Sequence, residues 1–386
     1  MAKTYISDRV TALKPSGIRR FFDIAATMKE VISLGIGEPD FNSPQPIIEA
    51  GVRALREGET HYTANRGILP LREALCHKLE SLYQISYDPM TEVVITVGGS
   101  EALTIACTAL LDPGDEVLLP TPCFVSYQGV IALAGGVSVE VPSRMENNFM
   151  PDPDELEKAI TPRTKAILIN FPNNPTGAVA DRETLMAIAA MAEKHDLVVL
   201  SDEIYDRLVY GFEHVCFPAL PSMRERTILI GGFSKDYAMT GWRIGFVCAP
   251  SHLMEGMAKV HQFIIMTAPT VAQFGALEGL TCCEDFVENM RTEYDRRRHL
   301  IVEGLNYIGL PTFEPKGAFY AFPKVSVTGL DDEAFAERLL QEKHVAVVPG
   351  SAFGAGGAGF VRCSYATAFD QLEEALDRID QFVKSI

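Results

Sequence analysis

Short apolar runs rich in β-branched residues alternate with longer amphipathic stretches through the middle of the chain. VVITV (93–97), EVLLP (116–120), KAILI (165–169), LVVLS (197–201), TILIG (227–231) and IGFVC (244–248) read as buried strands. Helical spacing of apolar residues lies between several of them, over 101–111 and Arg182–Lys194. This alternation predicts an α/β fold with a largely parallel sheet, in which ligands sit beyond the carboxyl ends of the strands. After about residue 280 the pattern changes. A long polar helix (284–307) leads to short strands around AFYAFP, VAVVPG and FVRCSYA, with helices at 332–343 and 368–384. The expectation is a large domain over 46–280 and a smaller α/β domain formed by 1–45 with 281–386. There is no internal repeat, and GAGGAG (354–359) lacks the lysine spacing of a phosphate loop.

Length supports this division, because 386 residues exceed what one compact core usually holds. With 47% hydrophobic and 22% charged residues, the composition is that of an ordinary globular chain. No apolar run reaches the roughly 18 residues of a membrane span, so no membrane partner is expected. The opening MAKTYISDRV lacks a secretory apolar stretch. The eight cysteines are scattered without metal-ligand spacing, and they read as reduced thiols in a cytoplasmic protein. Adjacent Cys282 and Cys283 read as helix packing residues. The net charge of −17 argues against nucleic acid as a partner. Arg296–Arg298, the one basic run, follows Glu293 and Asp295 and reads as a solvated helix face.

The chemistry concentrates in one segment, Gly232-Phe-Ser-Lys-Asp-Tyr-Ala-Met-Thr-Gly-Trp-Arg-Ile-Gly245. Lys235 follows a strand directly, at the mouth of the sheet. A lysine amine forms an imine with an aldehyde, and burial makes it nucleophilic by lowering its pKa. Arg243 offers a fork that fits phosphate, and Ser234 adds a hydroxyl. Together they suit a phosphorylated aldehyde.

This segment resembles the lysine signature of the class I/II aminotransferases, pyridoxal-phosphate enzymes of fold type I. Six further runs match that family in order: GEPDF (37–41), YTANRGILPLREAL (62–75), GGSEAL (98–103), NFPNNPTG (170–177), SDEIY (201–205) and RCSYA (362–366). The likeness covers nearly the whole chain and is nearest the bacterial and archaeal aspartate, aromatic and acetyl-diaminopimelate enzymes. It implies pyridoxal 5′-phosphate held by Lys235 as a Schiff base, with no metal. The same lysine moves a proton, and the cofactor cycles through pyridoxamine phosphate. Substrates are then a small L-amino acid of aromatic, aspartate or alanine type and a 2-oxo acid such as 2-oxoglutarate.

The resemblance also implies roles residue by residue. Gly99, Ser100 and Glu101 cradle the cofactor phosphate with Ser234 and Arg243. Asp202 faces the ring nitrogen, Tyr205 and Asn174 meet the ring oxygen, and Phe124 stacks on the ring. Arg362 binds the α-carboxylate, with Asn174 and the Gly37 backbone beside it. Tyr62 reaches the cofactor phosphate of a neighbouring copy, which implies a homodimer with shared sites. Read without the family, Ser100 can be a helix N-cap, Asp202 a turn cap and Phe124 a core residue. A carbon–sulfur β-lyase on the same fold shares Lys235, Asp202 and Arg243 and is the alternative enzyme. A regulator that only senses a ligand needs a DNA-binding segment, and residues 1–30 are too short and too weakly basic for one. For a distal substrate carboxylate the candidate is Arg66, four residues beyond Tyr62, with Arg19 and Arg20 as competitors.

Overall fold

The computed structural model describes residues 5–13, 28 and 30–386. A seven-stranded sheet lies at its centre, in the order Val93–Thr96, Gly245–Cys248, Thr227–Gly232, Val198–Asp202, Thr164–Asn170, Glu116–Thr121, Val137–Pro142. All neighbours pair in parallel except Gly245–Cys248, which runs antiparallel to both of its partners. The six runs read as strands all lie in this sheet. Val137–Pro142 is a seventh that the apolar pattern does not announce. It is an edge strand with exposed positions on both faces, so nothing forces a buried run.

Alternate side chains of the central strands enter different cores. Ile228 and Ile230 join Val94 and Val247 against the helices Gly98–Leu110 and Ser251–Ile264, whereas Leu229 joins Ile95 and Ile244 against Leu69–Tyr83 and Thr270–Cys282. A sheet covered on both faces needs strands that are apolar throughout, which is why their sequences read so clearly. The helix predicted over 101–111 begins earlier, at Gly98, directly beyond the strand Val93–Thr96.

The C-terminal part has its own core, containing Phe319, Tyr320, Phe335, Val361 and Phe382. Tyr320–Ala321, Val361–Ser364 and Val348–Pro349 form a small antiparallel sheet. Ile32–Ser33 pairs in parallel with Val345–Ala346, and Ser364 donates its N–H to Leu34 O at 2.7 Å. The helices Glu284–Tyr307, Asp332–Lys343 and Phe369–Val383 pack around these strands.

The basic run is a correction to the sequence reading. Arg297 and Arg298 are buried, not solvated. Arg297 Nη1 lies 2.8 Å from Asp40 Oδ2, and Arg298 pairs with Asp295 and Glu314 at 2.8 and 2.9 Å. A buried guanidinium needs such partners, and Asp40 arrives from more than 250 residues away (|i−j| = 257), outside any local pattern.

Candidate active site

A cavity of about 360 Å³ opens at the carboxyl ends of the central strands. Two side chains that line it end neighbouring strands in register, Asn170 on one and Asp202 on the next. Lys235 enters just beyond a third strand, Thr227–Gly232. The fold thus delivers an amide, a carboxylate and an amine to one place.

Lys235 Nζ donates to the Gly37 carbonyl at 2.6 Å. Burial lowers its pKa from the ordinary lysine range to about 8, helped by the charges of Arg362 and Arg243 and opposed by Glu38. Near neutrality a usable fraction of the amine is therefore uncharged. Asp202 is fully enclosed, and burial raises it to about 6. The Tyr127 hydroxyl, donating to Asp202 Oδ2 at 2.7 Å, and the Ile204 N–H at 3.2 Å both favour the carboxylate. Above that pH the carboxylate carries its charge, ready to face a protonated ring nitrogen.

Arg362 sits on the small antiparallel sheet and is buried. Its Nη1 donates to Asn174 Oδ1 at 2.8 Å and its Nη2 to the Gly35 carbonyl at 2.6 Å, while Nε has no partner among the described residues. A buried guanidinium among neutral acceptors, with one donor unmet, is poised for an anion.

The same cavity has a second group of donors suited to an anion. The helix Gly98–Leu110 presents its N-terminus to the cavity through Gly99 and Ser100, beside Ser234 and Arg243. The close approach there depends on glycine. A Cβ on Gly245 would stand 2.7 Å from the Gly98 carbonyl carbon, and one on Gly98, whose φ is +69°, would stand 2.9 Å from Arg243 Nη2. Arg243 Nη1 donates only to the Thr240 carbonyl, at 3.0 Å, and no acid pairs with it in the contacts described. Phe124 lines the wall between the two ends, edge-on to Tyr127 with centroids 5.6 Å apart.

Of the residues expected at the site, all but Glu101 and Tyr62 line this cavity. The Glu101 carboxylate turns away, accepting from the Val97 N–H and lying 2.6 Å from His261 Nδ1. Only its backbone remains available to a phosphate. Tyr62 is 80% exposed on the surface of the protomer. Arg66 does not line this chain's own cavity, and its Nη1 donates to the Thr91 carbonyl at 2.9 Å. Arg19 and Arg20 lie outside the described residues. Eight lining residues were not predicted from the sequence, and four of them, Glu38, Tyr127, Asn170 and Tyr320, carry polar side chains that enter the account below or the contacts above. Glu38, Asn170 and Tyr320 sit within GEPDF, NFPNNPTG and AFYAFP, whereas Tyr127 lies on the helix Ser126–Leu133, outside those motifs. Their neighbours drew attention because a role was already attached to them. Among the described residues no group of three or more His, Cys, Asp and Glu is arranged to hold a metal ion, and no helix is long and apolar enough to cross a membrane.

The family model for aminotransferase class I and II matches residues 29–379. An aspartate aminotransferase of Pyrococcus abyssi is 50% identical, over 98% of this chain and 98% of its own length. An aromatic-amino-acid aminotransferase of Thermococcus litoralis is 48% identical with the same coverage. Among solved structures, the aspartate aminotransferase of Thermus thermophilus with maleate superposes with a TM-score of 0.94 at 44% identity, covering 98% of this chain and 100% of that one.

Proposed function

The chain belongs to the class I and II aminotransferases, and on that premise we propose that it moves the amino group of an L-amino acid of aromatic, aspartate or alanine type to a 2-oxo acid such as 2-oxoglutarate. It is an enzyme of a family that depends on pyridoxal 5′-phosphate. The residues present fit that group. The glycine-bounded cup at Gly98–Ser100 with Arg243 suits a phosphate, Asp202 suits a ring nitrogen, and Lys235 lines the same cavity.

The observation that carries the reading is that Lys235 and Arg362 line one cavity, meeting at Gly37: Lys235 Nζ donates to its carbonyl at 2.6 Å, and Arg362 Nη2 would stand 3.6 Å from a Cβ there. When bound, the cofactor supplies an aldehyde that takes up amino groups and a ring that withdraws electrons. The protein's part is then as follows. Arg362, with Asn174, holds the α-carboxylate of the amino acid and so fixes where Cα sits. Lys235, whose pKa burial lowers to about 8, would hold the aldehyde through its amine, and as a free neutral amine it can take a proton from Cα as a base. Asp202 keeps the ring nitrogen protonated, and Tyr127 keeps Asp202 ionised. Gly99, Ser100, the Glu101 backbone, Ser234 and Arg243 hold the phosphate. Phe124 would cover a ring face, Tyr205 and Asn174 would meet the ring oxygen, and the Gly37 backbone would close the carboxylate side.

The reading extends to a cytoplasmic homodimer in which Tyr62 completes the partner's phosphate site. It also takes 46–280 as the large domain and 1–45 with 281–386 as the small one. Two relatives named for aspartate and for aromatic amino acids support the donor classes. The test is a panel of L-amino acids assayed with 2-oxoglutarate. Turnover of at least one aspartate, aromatic or alanine-type donor, abolished in Lys235→Ala, is the expected result. Elimination without keto-acid amination would overturn the proposal.

A further inference from the structure

Tyr320 lines the cavity but has no part in the roles above. It stands opposite Ser364 in the small antiparallel sheet. Arg362, two residues before Ser364, is therefore its diagonal neighbour on the same face. The geometry realises this contact, with the Arg362 guanidinium carbon 4.5 Å from the centre of the Tyr320 ring. At its other end the Tyr320 hydroxyl lies 2.8 Å from the Tyr205 hydroxyl. Room for that hydroxyl exists only because residue 37 is glycine, since a Cβ there would stand 2.7 Å from Tyr320 Oη.

We propose that Tyr320 is a positioning residue that joins the two ends of the reaction site. It donates its proton to Tyr205, so that the Tyr205 proton is aimed into the cavity, and its ring forms the face against which Arg362 is held. The direction of the hydrogen bond follows from acidity. Burial raises both hydroxyls and the Arg362 charge opposes that rise on both, but the guanidinium lies directly over the Tyr320 ring, 4.5 Å from its centre, which favours release of the Tyr320 proton towards Tyr205. A hydroxyl that accepts one hydrogen bond donates a stronger one, so Tyr320 strengthens whatever Tyr205 gives.

The inference rests on the reading that Tyr205 meets the cofactor ring oxygen. A donor there draws negative charge from that oxygen and loosens its hold on the proton of the lysine–cofactor linkage. The linkage then loses its proton at lower pH, and removing the donor raises the midpoint.

The experiment is a pH titration of the visible absorbance of the holoenzyme for wild type, Tyr205→Phe, Tyr320→Phe and the double variant. Tyr205→Phe should raise the midpoint. Tyr320→Phe should raise it by a smaller amount, roughly 0.3–0.5 pH unit, and should add nothing once Tyr205 is already Phe. If Tyr205→Phe shifts the midpoint and Tyr320→Phe does not, the inference alone falls. If Tyr205→Phe leaves it unmoved, the reading of Tyr205 falls and takes the inference with it. The ring is tested separately with 3-phenylpropanoate as an unreactive carboxylate. Its dissociation constant should stay the same in Tyr320→Phe and rise roughly threefold to tenfold in Tyr320→Leu. Equal affinity in both variants would remove the ring from any role at Arg362. Thermal melts of each variant separate these effects from unfolding, and the Phe variant keeps the buried volume.

Discussion

Lys235 Nζ is held on one backbone carbonyl, with the charges of Arg362 and Arg243 lowering its pKa and those of Glu38 and Asp202 opposing them. An amine attacks an aldehyde only when neutral. Because its pKa is lowered to about 8, the rate at which the apoprotein captures pyridoxal phosphate should rise up to that pH and then level off. A rate that keeps climbing towards the usual lysine range near 10.5 would show that the cavity does not depress the amine. Arg362 carries a second prediction at this scale. Replacing it with Leu removes a charged hydrogen bond worth about 1.5–3 kcal/mol, so kcat/KM should fall by roughly 10–100-fold. The loss should be similar for every donor, since all share the α-carboxylate. A loss confined to one donor would place Arg362 at a side chain instead. Residues such as Asn174 and Asp202 were legible because a rigid turn or a strand end fixes where they point. Glu101 was legible only in part: its backbone stays at the helix N-terminus, but His261, 160 positions along the chain, captures its carboxylate. No local pattern contains such a partner.

At the scale of elements, the strands and long helices could be read because burial imposes a period on them. Asp332–Lys343 starts where the sequence suggests, with Asp331 accepting from the Ala334 N–H at 2.7 Å as its cap. What could not be read is how elements cross. The antiparallel strand Gly245–Cys248 passes close against the start of the helix Gly98–Leu110, and Gly245 is the point of contact. Gly245→Ala should push that helix N-terminus out of place, because the new Cβ meets backbone on both sides and neither can give. The expected result is a stability loss of about 1–3 kcal/mol, as for other overpacked positions, together with weaker retention of pyridoxal phosphate. Denaturant melts of the apoprotein and cofactor dissociation by fluorescence read the two effects. Unchanged retention with lowered stability would detach this crossing from the phosphate site.

The whole protomer leaves one expected site residue unused, and its surroundings say why. Tyr62 is exposed, and so are Phe263 at 89%, Ile264 at 52% and Met266 at 50%. These form one surface, because Asn65 Nδ2 donates to the Met266 carbonyl at 2.7 Å and His261 Nε2 lies 2.7 Å from the Asn65 carbonyl. The same His261 ring holds Glu101 beside the protomer's own phosphate cup. The loop bearing Tyr62 is thus braced from behind while its aromatic tip faces outward. Exposed apolar residues gathered near Tyr62 suit a contact surface, and we propose that a second copy of the chain covers it, which would give Tyr62 a role. Sedimentation should then give a dimer. Mixing Lys235→Ala with Tyr62→Phe tests the sharing directly. Each variant alone spoils both of its sites, but a hybrid dimer with Tyr62 supplied in trans has one site with both residues intact. Activity above the sum of the separate variants, appearing only after subunits exchange, is the expected outcome. If Tyr62 served its own protomer, every hybrid site would lack one of the two residues and mixing would recover nothing.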